Sequence, residues 1–189
     1  MWKWFKSKLT AAFTPPAVPS TDVEMSAAEL EIDEVPTALA RARSWVGKGR
    51  YCLGAGGKKP SAASPWSKCA KPSQHGHGEA GTVFCDCSGM VCCAHQIPRQ
   101  DPATLRWLNT DEMERLGILQ GIPWIHAEPG DVVVYGAGAK IGHCGIVSEV
   151  DDAGPTKVIH CQASKTPAVI ETSADLFERK KAVVWRPGR

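Results

Sequence analysis

The segment FCDCSGMV, at residues 84–91, reads as a tight turn that runs directly into a helix. Asp86 is a residue type that accepts a hydrogen bond from a backbone amide at a helix start. Apolar residues then recur at helical spacing as far as Ile97, which predicts a helix over residues 87–97. Cys87 therefore stands in the first helical turn, at the positive end of the helix dipole.

The pattern on the C-terminal side of Pro129 and Gly130 changes to short apolar runs typical of β-strands. We predict strands at residues 131–135, 143–150, 156–162, 168–171 and 182–185. On the N-terminal side, we predict helices at residues 39–46, 102–108 and 111–116, the first preceded by a break at Pro36. Helices followed by strands predict an α+β fold, with N-terminal helices packed on a central antiparallel sheet of about five to six strands.

The composition is that of a globular protein with one sizeable core. Of the 189 residues, 43% are hydrophobic and 22% are charged. The formal net charge of +2 gives no reason to expect nucleic-acid binding. We divide the chain into an N-terminal tail with a Pro-rich linker, residues 1–22, and one catalytic domain, residues 23–189, with a long loop insertion at 57–84. We expect a monomer.

The eight cysteines do not make a disulfide scaffold in a chain of this length. Most are expected to be free thiols in a reducing compartment, and a link between Cys52 and Cys69 is the less favoured alternative. Cys69, His75, His77 and Cys85 could in principle hold zinc, but their spacing fits no common zinc-binding pattern. No metal and no other cofactor is predicted.

Cys87 is the candidate nucleophile, because the helix dipole and the unpaired amides of a first turn favour thiolate over thiol. A thiolate needs a partner that exchanges protons near neutral pH, and His143 offers one at the start of a strand. A third group should orient that imidazole: His160 on the next strand is one candidate, and Gln162, on the same face, is the reserve candidate. A hairpin of these strands puts His143 and His160 on one face, opposite or diagonal to each other. The alternatives are a buried structural thiol and a half-buried strand histidine.

These motifs resemble the successive blocks of the NlpC/P60 superfamily of cell-wall cysteine peptidases. The blocks are DCSG at residues 86–89, IPR at 97–99, PGDVV at 129–133, GHCGI at 142–146 and VIH at 158–160. GRYCLGAGG at residues 49–57 is similar to the family's glycine and tyrosine segment. The resemblance covers roughly residues 39–185, and five blocks in the family's order are far more specific than any one.

The resemblance implies a papain-like core and a catalytic triad of Cys87, His143 and His160. It also implies hydrolysis of amide bonds in bacterial peptidoglycan stem peptides, commonly between D-glutamate and a diamino acid. Tyr51 is carried over as an oxyanion or substrate contact. The residues expected to line the oxyanion or substrate site are Tyr51, Asp86, Ser88, Gly142 and Gln162.

Two features depart from the family. Cys144 and Cys161 follow the two histidines, and strand alternation predicts that they point away from the site with little effect on its chemistry. The loop at 57–84 is longer than in most members, which leaves specificity open. Two alternative functions remain: an acyltransferase or other thiol-based hydrolase on a related papain-like scaffold, and a catalytically silent binding or assembly module.

The route to the cell wall is a separate question. No apolar run approaches the roughly 20 residues needed to span a bilayer, and Lys6 and Lys8 interrupt the N-terminus before a signal-peptide core forms. We therefore expect a protein that is cytoplasmic when made and is delivered by a phage particle, by lysis or by a specialised secretion system. An apolar stripe between Trp2 and Phe13 could dock a membrane surface or a partner, although a short disordered tail is the favoured interpretation.

Overall fold

The computed structural model describes residues 37–54, 84–100, 104–136, 138, 141–163 and 167–188. All of them belong to the unit Val35–Arg189. The predicted tail and linker at 1–22 lie outside the described residues. So do Cys69, His75 and His77, and the loop insertion up to residue 83.

Four helices and one 3-10 turn occur in the described ranges. They are α1 (Ala38–Trp45), α2 (Cys87–Ala94), α3 (Thr110–Gln120), the 3-10 turn Trp124–His126 and α4 (Asp175–Arg179). The strands are β1 (Arg50–Tyr51), β2 (Phe84–Cys85), β3 (Val132–Tyr135), β4 (His143–Asp151), β5 (Gly154–Cys161), β6 (Val169–Ser173) and β7 (Val183–Trp185). None of these helices is long and apolar enough to cross a membrane.

The central sheet has five strands in the order β6-β5-β4-β3-β7, and each neighbouring pair is antiparallel. Strands β3 to β6 form a meander, and β7 returns to pair beside β3. The five predicted strands are all present, with ends shifted by no more than two residues. This mixture of helix and antiparallel sheet fits the predicted α+β class. Strands β1 and β2 pair in parallel as a separate two-stranded sheet.

The helix ends follow local signals that the sequence partly concealed. Helix α2 is shorter than predicted, because Gln96 adopts a left-handed backbone conformation with φ of 55°. Helix α3 is longer than predicted: Asn109 caps its start, and Gly121 ends it with φ of 62°.

The predicted helix at residues 102–108 is wrong for the part that the structure describes. Leu105 has φ of 56°, and Trp107 forms an isolated antiparallel bridge with Gln100, so this segment folds back as a turn. Helix α4 was not predicted at all. Its five residues are too few for helical periodicity to be recognised.

Both faces of the central sheet are covered. Every residue of α2 is buried, and the helix packs in one core cluster with alternate sheet residues. The side chains of the central sheet in that cluster are Val132, Val134, Cys144, Ile146, Ile159, Cys161, Val169 and Trp185. The intervening residues Val133, Val147 and Val158 pack on the other face with Phe177 of α4. Adjacent residues of these strands are therefore buried on opposite faces of the sheet.

Candidate active site

Asp86 organises the start of helix α2. Its Oδ1 accepts a hydrogen bond from the amide of Gly89 at 2.6 Å, which caps the helix as predicted. Its Oδ2 accepts from Arg99 Nη2 at 2.6 Å and from the amide of Gly54 at 2.7 Å. One buried carboxylate thus joins three segments: the helix that begins with Cys87, the IPR segment, and the turn after β1.

Ser88 belongs to the same buried network. Arg99 Nη2 donates to Ser88 Oγ at 2.9 Å, and Ser88 Oγ lies 3.3 Å from Asp86 Oδ1. Only 2% of Asp86 and 4% of Ser88 are exposed. Asp86 and Ser88 were both expected to line the substrate site, whereas the structure engages them in holding the helix start.

The two predicted histidines meet across strands β4 and β5. The register pairs Gly145 with His160, so His143 lies diagonal to His160 on the same face. His143 Nε2 and His160 Nδ1 are 2.8 Å apart. His160 is thus the residue that hydrogen-bonds to Nε2 of His143. The reserve candidate, Gln162, is half-buried just beyond β5, and its backbone amide donates to Ala168.

Cys87 is hydrogen-bonded by two residues of β4, and only 6% of it is exposed. The hydrogen bond from the Cys144 thiol, together with the hydrogen bond and charge of His143, outweighs burial and lowers the pKa of Cys87 to about 5. Because His143 Nε2 faces His160, Nδ1 is the ring nitrogen left for Cys87. Near neutral pH the arrangement favours a thiolate beside an imidazole.

The prediction that Cys144 points away from the site is wrong. Strand alternation does put Cys144 on the sheet face opposite His143. Helix α2 packs on the face that carries Cys144, however, and this packing brings Cys87 into contact with Cys144. Burial and the hydrogen bond to Cys87 raise the pKa of the Cys144 thiol, so it stays protonated and donates. Cys161 lies on the same face, with its sulfur 2.9 Å from that of Cys85.

His160 is held as a neutral ring. Burial and the charge of His143 lower the pKa of His160 to about 4. Its Nε2 lies 2.9 Å from Thr172 Oγ1 on β6. Phe177 packs against both imidazoles, with ring centroids 5.6 Å from His143 and 5.8 Å from His160. These contacts restrict how either ring can turn.

Tyr51 is half-buried at the end of β1, where it is paired with Cys85, two residues before Cys87. Burial and the charge of Cys87 raise the pKa of Tyr51, so its hydroxyl remains a hydrogen-bond donor at neutral pH. Gly142 is buried immediately before His143. The structure therefore places Tyr51 near Cys87, and Gly142 at the strand end that carries the imidazole.

The cysteines divide by oxidation state. Those described as free thiols are Cys85, Cys87, Cys92, Cys93, Cys144 and Cys161, and all are buried. Cys52 is disulfide-bonded, whereas Cys69, the partner considered from the sequence, lies outside the described residues. Burial raises the pKa of Cys92 and of Cys93 to about 12, the opposite of the effect at Cys87.

No protein-family model matches this chain, and no curated protein matches it significantly. Among the described residues, no cluster of three or more His, Cys, Asp or Glu side chains could hold a metal ion.

Sequence reasoning missed four contributors to the site. Arg99 stood in a quoted motif without a role, and the role of Cys144 was misassigned. Thr172 and Phe177 gave no sequence signal, because a threonine on an edge strand and a phenylalanine in a short helix are common in any fold. Only the strand register and the position of α4 bring them to the histidines.

Proposed function

We propose that this chain is a papain-like cysteine peptidase or amidase that hydrolyses amide bonds in bacterial peptidoglycan stem peptides. The observation that carries the proposal is the chain of contacts from Cys87 to His143 to His160. A cysteine at a helix start, an imidazole that bonds to it and a second group that orients the imidazole are the parts that thiol-based acyl chemistry needs. The substrate class comes from the NlpC/P60 resemblance of the motifs, with the bond between D-glutamate and a diamino acid as the first candidate.

The mechanism begins with attack of the Cys87 thiolate on the scissile carbonyl carbon. The developing oxyanion is stabilised by the backbone amide of Cys87 and by the hydroxyl of Tyr51. Asp86 caps Gly89 rather than Cys87, so the cap leaves the Cys87 amide for this task. The tetrahedral intermediate then collapses as the carbon–nitrogen bond breaks.

His143 moves the protons of both half-reactions. As imidazolium, it gives its Nδ1 proton to the departing amine, which leaves an acyl group on Cys87. Neutral His143 then removes a proton from water, which attacks the thioester and releases the carboxylate. His160 keeps the ring in position throughout.

Digestion of purified peptidoglycan of several chemotypes tests the proposal, with the fragments identified by mass spectrometry. We expect the wild-type protein to release fragments that carry one new free amine and one new carboxylate. Cys87→Ala should release none. Cys92→Ala is the matched control, because it removes a buried thiol of the same helix whose raised pKa makes it unreactive. Release by Cys87→Ala at the wild-type rate would refute the assignment.

The same experiment separates the two alternative functions. Acyl transfer passes through the same thioester but yields an acylated amine instead of a free carboxylate. A silent binding module yields no fragments with any chemotype, while still sedimenting with the wall. The lowered pKa of Cys87 favours an enzyme over such a module, because a binding surface has no use for a thiolate.

A further inference from the structure

We infer that Thr172 is a positioning residue for this reaction: its hydroxyl sets the tautomer of His160 and, through it, that of His143. The inference rests on the proposed function, since it assigns a role within the same site. Strands β4, β5 and β6 contribute one side chain each. His160 is paired with Gly145 on one side and with Ile170 on the other, so His143 and Thr172 both lie diagonal to it on one face.

The direction of the hydrogen bonds follows from the Thr172 hydroxyl. Its Oγ1 lies 3.2 Å from the carbonyl oxygen of Ser173 and 2.9 Å from His160 Nε2. A carbonyl oxygen only accepts, so the one hydroxyl hydrogen points to Ser173. The hydroxyl oxygen must then accept from His160, whose Nε2 therefore carries a hydrogen.

That hydrogen determines the rest of the chain. His160 is neutral near pH 7, and a neutral imidazole has one N–H, so its Nδ1 is a bare acceptor. His143 Nε2 lies 2.8 Å from this acceptor and donates to it. His143 Nδ1 is consequently the nitrogen that takes the Cys87 proton and later gives it to the leaving amine.

The imidazolium form of His143 depends on the Nε2–H tautomer of His160 more than the neutral form does. It carries hydrogens on both nitrogens, and His160 can accept one of them only while its own hydrogen is on Nε2. In the opposite tautomer, an N–H of His160 would point at an N–H of His143. That repulsion would weaken the imidazolium and, with it, the thiolate of Cys87.

The surroundings do not replace the hydroxyl. Phe177 packs on both imidazoles but offers no hydrogen-bond acceptor comparable to a hydroxyl oxygen. Besides His143, the ionisable side chains that act electrostatically on Cys87 from its own helix and the neighbouring elements include Tyr51, Asp86, Cys92, Arg99, Tyr135, Cys144 and Cys161.

Two variants at position 172 separate hydrogen bonding from shape. Thr172→Val keeps the branched shape and loses the hydroxyl, whereas Thr172→Ser keeps the hydroxyl. Nitrogen NMR of the imidazoles should show the Nε2–H tautomer of His160 in the wild type and in Thr172→Ser, and its loss in Thr172→Val. The pH midpoint for alkylation of Cys87 should rise by about one in Thr172→Val, which is about tenfold less thiolate below the midpoint.

A folded Thr172→Val protein with the wild-type tautomer and the wild-type midpoint would overturn the inference. If Thr172→Val does not fold, Thr172→Ala provides the same comparison. Neither measurement uses a wall substrate, so the proposed function is tested separately. A wild-type Cys87 with an alkylation midpoint near the free value of about 8.5 would overturn the proposed function and the role of Thr172 together. A low wild-type midpoint that Thr172→Val leaves unchanged would overturn only the role of Thr172.

Discussion

The Cys144 thiol donates a hydrogen bond to Cys87 from the strand residue that directly follows His143. Cys87 therefore has two partners on consecutive residues of β4, one from each face of the sheet. Cys87 can contact both residues because it is the first residue of α2, and His143 and Cys144 are the first two residues of β4. A thiol that packs in the core thus stabilises the thiolate form of Cys87.

Cys144→Ala should raise the pKa of Cys87, because a hydrogen bond to a charged group contributes roughly 1.5–3 kcal/mol. We expect a rise of about 1 to 2 pH units in the midpoint of thiolate formation, followed by ultraviolet absorbance of the thiolate. Cys144→Ser is the control, since its hydroxyl can still donate. An alanine variant with the wild-type midpoint would show that this hydrogen bond does not stabilise the thiolate.

Arg99→Met should strongly destabilise the fold, because it leaves the buried carboxylate of Asp86 without its cation. The two side chains are 6% and 2% exposed, and loss of one partner of such a pair costs about 3 kcal/mol or more. Urea unfolding measures this loss. Arg115→Met is the matched control, since Arg115 pairs with Glu112 on the surface of α3 and its removal should leave the midpoint unchanged. Equal urea midpoints for Arg99→Met and Arg115→Met would show that the buried pair of Arg99 and Asp86 does not stabilise the fold.

Gly145→Ala should push strands β4 and β5 apart at the histidine pair. A Cβ atom there would lie 2.8 Å from the carbonyl oxygen of Ile159 and 3.0 Å from Cβ of His160. We expect a loss of about 1–3 kcal/mol in the free energy of unfolding, with a larger proportional loss of wall hydrolysis because His160 moves. Gly188→Ala meets nothing within 4 Å and should match the wild type. Wild-type stability and activity in Gly145→Ala would show that the strands can separate without cost.

Tyr51→Phe should lower kcat roughly 100-fold with little change in KM, because removal of one oxyanion donor has an effect of that order. Steady-state hydrolysis of a defined stem peptide measures kcat and KM separately. Tyr135→Phe is the informative comparison, since Tyr135 also lies near His143, at 6.2 Å between ring centroids. If Tyr135→Phe showed the loss in kcat and Tyr51→Phe did not, the oxyanion donor would be reassigned.

The strand pattern and the shared face of the two histidines could be predicted from the sequence because both depend on local spacing. The choice of His160 over Gln162 came from the family resemblance. Alternation in residues 143–150 and 156–162 was enough to predict a hairpin with both histidines on one face, which the register confirms. The role of Cys144 could not be read in the same way, because alternation gives the face of a residue but not which helix covers that face. Thr172 escaped for a related reason, since its contact with His160 depends on the register of a third strand.

The most direct measurement is the rate of alkylation of Cys87 against pH, with the labelled residue identified by peptide mass spectrometry. Because the folded-state pKa is lowered, the thiolate should persist as the pH falls to about 5 and disappear below it. We expect a midpoint near 5 that moves upward in His143→Ala. A midpoint near 8.5, or one that His143→Ala leaves in place, would contradict the claim that Cys87 and His143 form a thiolate–imidazole pair.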